Sequence, residues 1–313
     1  MMLRELDLSP WIVRLLAFGW GCLWGSFLNV VILRVPRGMS VVRPPSHCPA
    51  CGAPIHAWDN IPIVSFLVLR GRARCCRARI SPKYLVVEVL GGVLSLAVAE
   101  HVLSTLADST PVLHAAAVFL AEAALGLALL AAAFIDAEHM FLPDAITLGG
   151  TAFGLATPAL RDLGWSDVFA GAALGFAGVW LPFVFLYPKL RGRAGMGMGD
   201  AKLVMLAGAW FGIPGAAFAL FAGALQATAV ALVLLVVRGK IDEPEAVRIE
   251  RELLEQAAAE GDAEARRELE DDPVGQPPGD GFLAARLPFG PFLCLATIEW
   301  MLVGDRVRAI AWP

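Results

Sequence analysis

Two carboxylates stand at the edges of long apolar stretches: Phe134-Ile135-Asp136 closes one stretch, and Gly197-Met198-Gly199-Asp200 opens another. A carboxylate in such a place needs a partner or a task. Two acids that share a partly dehydrated site cannot both ionise, so one proton is held between them and their pKa values separate. That pair can take a proton from water and give one to a leaving amine, which is general acid-base hydrolysis of a peptide bond. The titration then belongs to the pair and not to either residue. Glycines before Asp200 suit the task, because they permit unusual backbone angles and close approach of an extended substrate. Two other readings stand beside this one. The acids are helix-end residues at the headgroup level, or they guide ions through a transporter, against which no internal inverted repeat is evident.

Thiols form the second constellation. Cys48-Pro49-Ala50-Cys51 has the two-residue spacing that lets both thiolates face one tetrahedral ion. Cys75 and Cys76 lie in the same loop, which is expected in a reducing compartment, so metal binding is favoured over a disulfide. Adjacent cysteines point in diverging directions, and closing a four-thiolate zinc site with Cys48, Cys51, Cys75 and Cys76 therefore requires local rearrangement, with His47 or His56 as substitutes. Cys22 and Cys294 fall within apolar stretches and read as packing residues.

The elements that hold these groups follow from composition. Of 313 residues 58% are hydrophobic and 17% charged, with a mean hydropathy of +0.66. Soluble domains carry about 25% charged residues. The expected class is an all-α, polytopic membrane helix bundle with a loop domain that contains the cysteines. Apolar windows suggest about eight spans, near 11–33, 84–104, 113–135, 145–160, 168–187, 200–213, 215–237 and 287–304. The fourth is short and carries Gly149, Gly150 and Pro158. The sixth and seventh are parted only by Gly212-Ile213-Pro214-Gly215, which suits a helical hairpin or a kink in one element. The corresponding regions are 1–35, 36–83, 84–237, 238–286 and 287–313.

The net charge of −4 conceals an uneven distribution. Residues 238–286 hold 14 of 29 acids and 7 of 25 bases, which leaves 15 acids against 18 bases elsewhere. This insert predicts a solvated helix followed by a disordered Pro/Gly-rich stretch, a charged loop without chemistry. No basic stripe indicates nucleic-acid binding. Residues 1–10 contain Glu5 and Asp7 and do not have the pattern of a removable signal peptide. Residues 36–83 carry Arg37, Arg43, Arg70, Arg72, Arg74, Arg77, Arg79 and Lys83 against Asp59 alone, which places the loop in the cytoplasm. Lys189, Arg191 and Arg193 then fall on a cytoplasmic loop as well. Two spans separate Asp136 from Asp200, so parity returns both acids to that face.

Asp136-Ala-Glu-His-Met-Phe-Leu-Pro143-Asp144 and Gly197-Met-Gly199-Asp200-Ala-Lys202-Leu together resemble the paired motifs of type IV prepilin leader peptidases, membrane aspartic proteases of the Gly-x-Gly-Asp kind. Gly25-Ser-Phe-Leu-Asn29 through Pro36, Cys48–Cys51 running to Asn60-Ile-Pro62 and Leu69-Arg70-Gly71, and Leu287-Pro-Phe-Gly-Pro-Phe-Leu293 resemble the bacterial bifunctional branch. The resemblance implies that Asp136 and Asp200 are catalytic, with Gly197, Gly199, Lys202, Pro143 and Asp144 as motif support. It implies prepilins or type II pseudopilins as substrates, a multi-pass protein of the inner membrane whose active site faces the cytoplasm, and methylation of the new N-terminus from S-adenosylmethionine. The methyl transfer is associated with the cysteine loop, where Asn60, Arg70 and Glu88 match motif positions. Glu88, inside the second span, either has a task there or pairs with Lys83 or Arg79. The second cysteine pair departs from the family's Cys-x-x-Cys: alignment on Ile80-Ser81 puts Cys76 in one position and Ala73 in the other. The resemblance leaves the particular substrates and the oligomeric state open.

Overall fold

In a computed structural model of the chain, which describes residues 2–3, 10–191, 195–239, 243–271 and 287–311, the apolar windows become helices. No β-strand occurs among the described residues, only isolated bridges. This is the economical solution in lipid, where a helix satisfies its backbone hydrogen bonds internally. The chain divides into two compact units, Met1–Ala131 and Ala132–Pro313.

The first unit contains α1 (Pro10–Arg34), a loop with the short α2 (Val64–Val68), α3 (Pro82–Thr105) and most of α4 (Val112–His139). Small residues bring α1 and α3 together: a methyl at Gly21 would lie 2.3 Å from the Gly91 carbonyl oxygen, and one at Gly25 would lie 2.8 Å from Glu88 Cα. Ser81 starts α3, its hydroxyl accepting from the Lys83 amide at 3.3 Å with Pro82 in the first turn. Cys22 is buried against this seam, where its sulfur would meet a methyl at Gly92, as a packing residue should.

The second unit takes the end of α4, then α5 (Asp144–Ala156), α6 (Trp165–Val179), a π-helical stretch at Trp180–Leu186 that includes Pro182, α7 (Tyr187–Arg191), α8 (Met198–Arg238), α9 (Glu245–Glu260), α10 (Ala263–Asp271) and α11 (Gly290–Ala311). Five helical stretches, Trp11–Arg37, Pro82–Thr105, Val112–His139, Trp165–Arg191 and Met198–Arg238, are long and apolar enough to cross a membrane among the described residues.

Helix α8 is interrupted at Gly212, whose φ of 69° and ψ of −167° leave the helical region. Its two arms double back. A methyl at Gly171 of α6 would meet both Gly208 and Gly212, and one at Gly175 would meet both Val204 and Ala216. Residues 204 and 216 stand level only if the chain reverses between them, so the hairpin reading of the sequence holds and the single-kink alternative does not. Carbonyls freed at the tip are taken by arginines: Arg161 donates to Trp210 and Arg308 to Phe211 at 3.4 Å, while Arg161 also donates to Gly154 near the end of α5. Arg161 also stacks over the Trp210 ring at 4.5 Å.

The expected fourth span is a 13-residue α5 followed by a 3-10 turn at Pro158–Arg161. Short as it is, it carries the chain to the opposite end of the bundle. Its start is tied to the start of α8 by the Lys202–Asp144 ion pair at 2.6 Å, and its end is tied to the α8 tip through Arg161. The parity argument therefore holds in the geometry. In the acidic insert, α9 and α10 replace the single expected helix, and the Glu243–Arg251 pair at 2.7 Å is nearly buried. The stretch expected to be disordered, from Pro273 onward, and Arg193 lie outside the described residues.

Candidate functional site

The two acids occupy equivalent positions beside helix starts. Asp136 lies in the last turn of α4 and is 6% exposed. Its Oδ2 accepts from the Gly290 amide at 3.0 Å, across 154 residues of sequence. Gly290 begins α11, so this N–H has no partner within its own helix, and the Asp136 carboxylate caps it from a distance. Asp200 lies in the first turn of α8, where its Oδ2 accepts from the Gly197 amide at 3.2 Å. Each carboxylate thus commits Oδ2 to a glycine N–H.

Leu142, buried in the short link between α4 and α5, connects the two. A methyl at Gly199 would lie 3.1 Å from its Cβ, and one at Gly290 would lie 3.2 Å from its Cδ2. Leu142 thus lies against Gly199, the neighbour of Asp200, and against Gly290, whose amide binds Asp136. The link reverses through Met140, with φ of 51°, and Pro143 then starts α5. Asp144 is the first residue of α5 and Lys202 lies in the first turn of α8, so their ion pair fastens the two helix starts together.

The expected role of the glycines is corrected here. Gly197 has φ of −71° and ψ of 149°, ordinary extended backbone, and Gly199 is within the helix. Space is what Gly199 contributes, since it admits Leu142, and Gly290, absent from the motif-support residues expected from sequence, admits Asp136, since a methyl there would stand 2.7 Å from Oδ2. Leu142 and Gly290 were missed in the reading of the sequence. The Leu287–Leu293 motif pointed to the second but gave it no task. Cys294, one turn further along α11, is fully buried, as a packing residue should be.

In the first unit the four loop cysteines converge. Their sulfurs lie within 4.8 Å of one another, with Cys48 3.7 Å from Cys76 and Cys51 3.4 Å from Cys75. A tetrahedral zinc with bonds of about 2.3 Å sets sulfurs about 3.8 Å apart. The donor set therefore fits the metal. The obstacle expected from adjacent cysteines is removed by the turn that holds them. Ala73 pairs with Ala78 through N–H···O at 2.8 Å, Arg72 bridges to Arg79, and Arg77 takes φ of 60°, which aims Cys75 and Cys76 to one side. Neither histidine substitute is part of the cluster: His47 Nδ1 lies 3.1 Å from the Pro45 carbonyl, and His56 stacks on Trp58. Backbone amides of Ala50 and Cys51 pull the Cys48 thiol down to about 7, while contact with the Cys51 sulfur pushes Cys75 up to about 12. Four thiols without a cation resist joint ionisation, and a dication reverses that order.

Of the two readings of Glu88, the ion pair is not the one the structure adopts. Rather than pairing with Lys83 or Arg79, its Oε2 accepts from the Ile63 amide at 2.7 Å. Ile63 is held at φ of 62°, costly for a β-branched residue. Asn60 and Ser26 line a cavity of about 250 Å³ with Arg34, Phe27 and Pro62. Arg70 is exposed, has φ of 52°, and does not line it.

A helical membrane bundle that brings two acids to the same end, each beside a helix start, defines a class, that of polytopic membrane proteins with acids gathered at one end of the bundle. Family models then narrow it: the bacterial peptidase A24 N-terminal domain matches residues 20–102, and the type IV leader peptidase family matches residues 123–232. The prepilin leader peptidase/N-methyltransferase of Neisseria gonorrhoeae is 36% identical over 261 residues, covering 74% of this chain and 86% of the relative. That of Stutzerimonas stutzeri is 30% identical over 330 residues, covering 96% and 94%. That of Pseudomonas putida is 35% identical over 232 residues, covering 66% and 76%. No solved structure matches the chain significantly. The chain belongs to the type IV leader peptidase family, and it is a multi-pass membrane protein.

Proposed function

We propose that this chain cleaves the basic leader from prepilins or type II pseudopilins at the cytoplasmic face of the inner membrane, with Asp136 and Asp200 as the catalytic pair. The observation that carries the reading is the approach to Leu142 of the segments that bear these two acids, across 64 positions of sequence and at the starts of α8 and α11. One acid, ionised, takes a proton from water as its oxygen adds to the scissile carbonyl carbon. The other, protonated, gives its proton to the carbonyl oxygen; on collapse the first acid passes the proton it took from water to the departing amine as the C–N bond breaks, and the second recovers its proton from the hydroxyl as the carbonyl re-forms. Oδ2 of each acid accepts from a glycine N–H, which orients each carboxylate for these proton transfers. Lys202 and Asp144 hold the helix starts in register, and Gly290 positions Asp136. The basic loop at 36–83 supports the cytoplasmic orientation.

The relatives' names include an N-methyltransferase, and we assign that step on the cleaved N-terminus to the first unit, with S-adenosylmethionine as the methyl donor. Cys48, Cys51, Cys75 and Cys76 would hold a zinc ion that crosslinks the loop. Asn60, Arg70 and Glu88 belong to this unit, Glu88 as the residue that fixes Ile63. No residue is assigned to the methyl donor, since the described part of the loop has no glycine-rich turn opening a helix of the nucleotide-binding kind.

Purified enzyme incubated with a prepilin and labelled S-adenosylmethionine tests both halves, with leader loss and methylation scored separately. Asp136→Asn and Asp200→Asn should each lose cleavage while still inserting in the membrane. Retained cleavage by either variant overturns the assignment of the acids.

A further inference from the structure

The loop between α1 and α3 is charged enough to be read as a solvated cytoplasmic module, yet one part of it is strongly apolar. Five of the eleven residues from Trp58 to Val68 are large apolar side chains left exposed: Trp58 at 62%, Ile61 at 47%, Val64 at 53%, Leu67 at 61% and Val68 at 70%. So many large apolar side chains left exposed within one short segment mark an interaction surface. It does not belong to the cysteine cluster, whose flanks Pro49 and Ala50 are small and exposed.

Depth identifies the partner. The Ile63 amide is bound by Glu88, which lies about 9 Å inside α3 from its first residue, at 1.5 Å per residue. Asn60 and Pro62 line the same cavity as Ser26 and Leu23 of α1. Ser26 lies about 12 Å before the end of that helix at Arg34. The stretch Asn60–Ile63 therefore lies back along the two spans instead of rising away from them, and α2 follows it directly in the chain. Charge fits the same partner. Arg70, Arg72, Arg77 and Arg79 are exposed just beyond the apolar patch, and the loop's one acid, Asp59, is held by Arg74 at 2.8 Å. Anionic headgroups attract such cations, and an exposed tryptophan is at home at the same level.

We propose that residues 58–68 form an interfacial element lying in the headgroup-acyl boundary of the bilayer, with its apolar face in lipid and the following arginines on anionic phosphates. The Glu88 bond to Ile63 is the latch that holds it at this depth. The proposal stands on the first unit alone and does not depend on the assignment of the acids.

The test uses the full chain in nanodiscs of phosphatidylethanolamine and phosphatidylglycerol, with photoreactive benzoylphenylalanine at Leu67, at Val68 or at Ala50. Phospholipid adducts are expected at positions 67 and 68 and not at 50, and intact-mass spectrometry reads them. Equal adduct yield at all three, or none at 67 and 68, overturns the proposal. As a second reading, carbene footprinting of the unmodified enzyme from the aqueous phase should label the stretch around Ala50 and spare Val64–Val68. Heavy labelling of Val64–Val68 overturns it as well.

Discussion

The cysteine cluster and the aspartate pair gather reactive side chains by opposite means. Cys48 and Cys76 are 28 positions apart and meet through tight turns, with left-handed residues at Gly52 and Arg77 and one short ladder bridge in each hairpin. Asp136 and Asp200 are set by helices, and the amide that orients Asp136 comes from 154 positions away. A site made of turns needs a crosslink to persist, and the thiolates supply the ligands for one. A site made of packed helices needs space at the crossing points, and glycines supply that. Damage should follow the same division.

The largest effect is expected at the acids. Asp136→Asn or Asp200→Asn should lower the cleavage rate by at least about a thousandfold, the scale seen when a catalytic group is removed, while methylation of a pre-cleaved peptide persists; a peptidase assay beside a methyl-transfer assay checks this. Gly290→Ala comes next. A methyl 2.7 Å from Asp136 Oδ2 displaces the carboxylate, and misplacement of about 1 Å costs about a hundredfold in kcat with KM little changed. Gly197→Ala sharpens the contrast. Its methyl would stand 3.5 Å from Asp200 Oδ2, ordinary contact, so kcat should stay within about threefold.

In the other region, Cys48→Ser or removal of zinc should weaken metal retention and methylation about tenfold or more, the lower end for loss of a metal-site group, and leave cleavage nearly intact. Zinc content by mass spectrometry and the two assays read this, and an equal cleavage defect would erase the comparison. The smallest effect is expected for Lys202→Met. Its ion pair with Asp144 is 24% and 59% exposed on the two sides, so cleavage should fall only about two- to threefold.

Legibility in the sequence follows the same line. The helices, the hairpin at Gly212 and the shared side of the two acids were legible because bilayer thickness fixes length and parity. Cys48 and Cys51 were legible as a spacing. Cys75 was not secure, since its usefulness depends on the left-handed Arg77, and nothing in a side-chain pattern announces that conformation. Gly290 and Leu142 could not be assigned a task from sequence, because each acts through an approach between elements far apart in the chain. Glu88 was recognised as a polar residue with something to do, but a backbone amide as its partner leaves no trace in composition.

The short helices beside the acids have a consequence for the membrane itself. Helix α5 has 13 residues and the first arm of α8 runs only from Met198 to the break at Gly212. Each is about 20 Å long at 1.5 Å per residue, against a hydrocarbon core of about 30 Å. Their far ends are pinned together by Arg161, so neither can slide to make up the difference. The shortfall of about 10 Å has to be met by a bilayer thinned around this part of the bundle, or by a wet depression above the two carboxylates. In either form water reaches the acids at a level where lipid would otherwise lie.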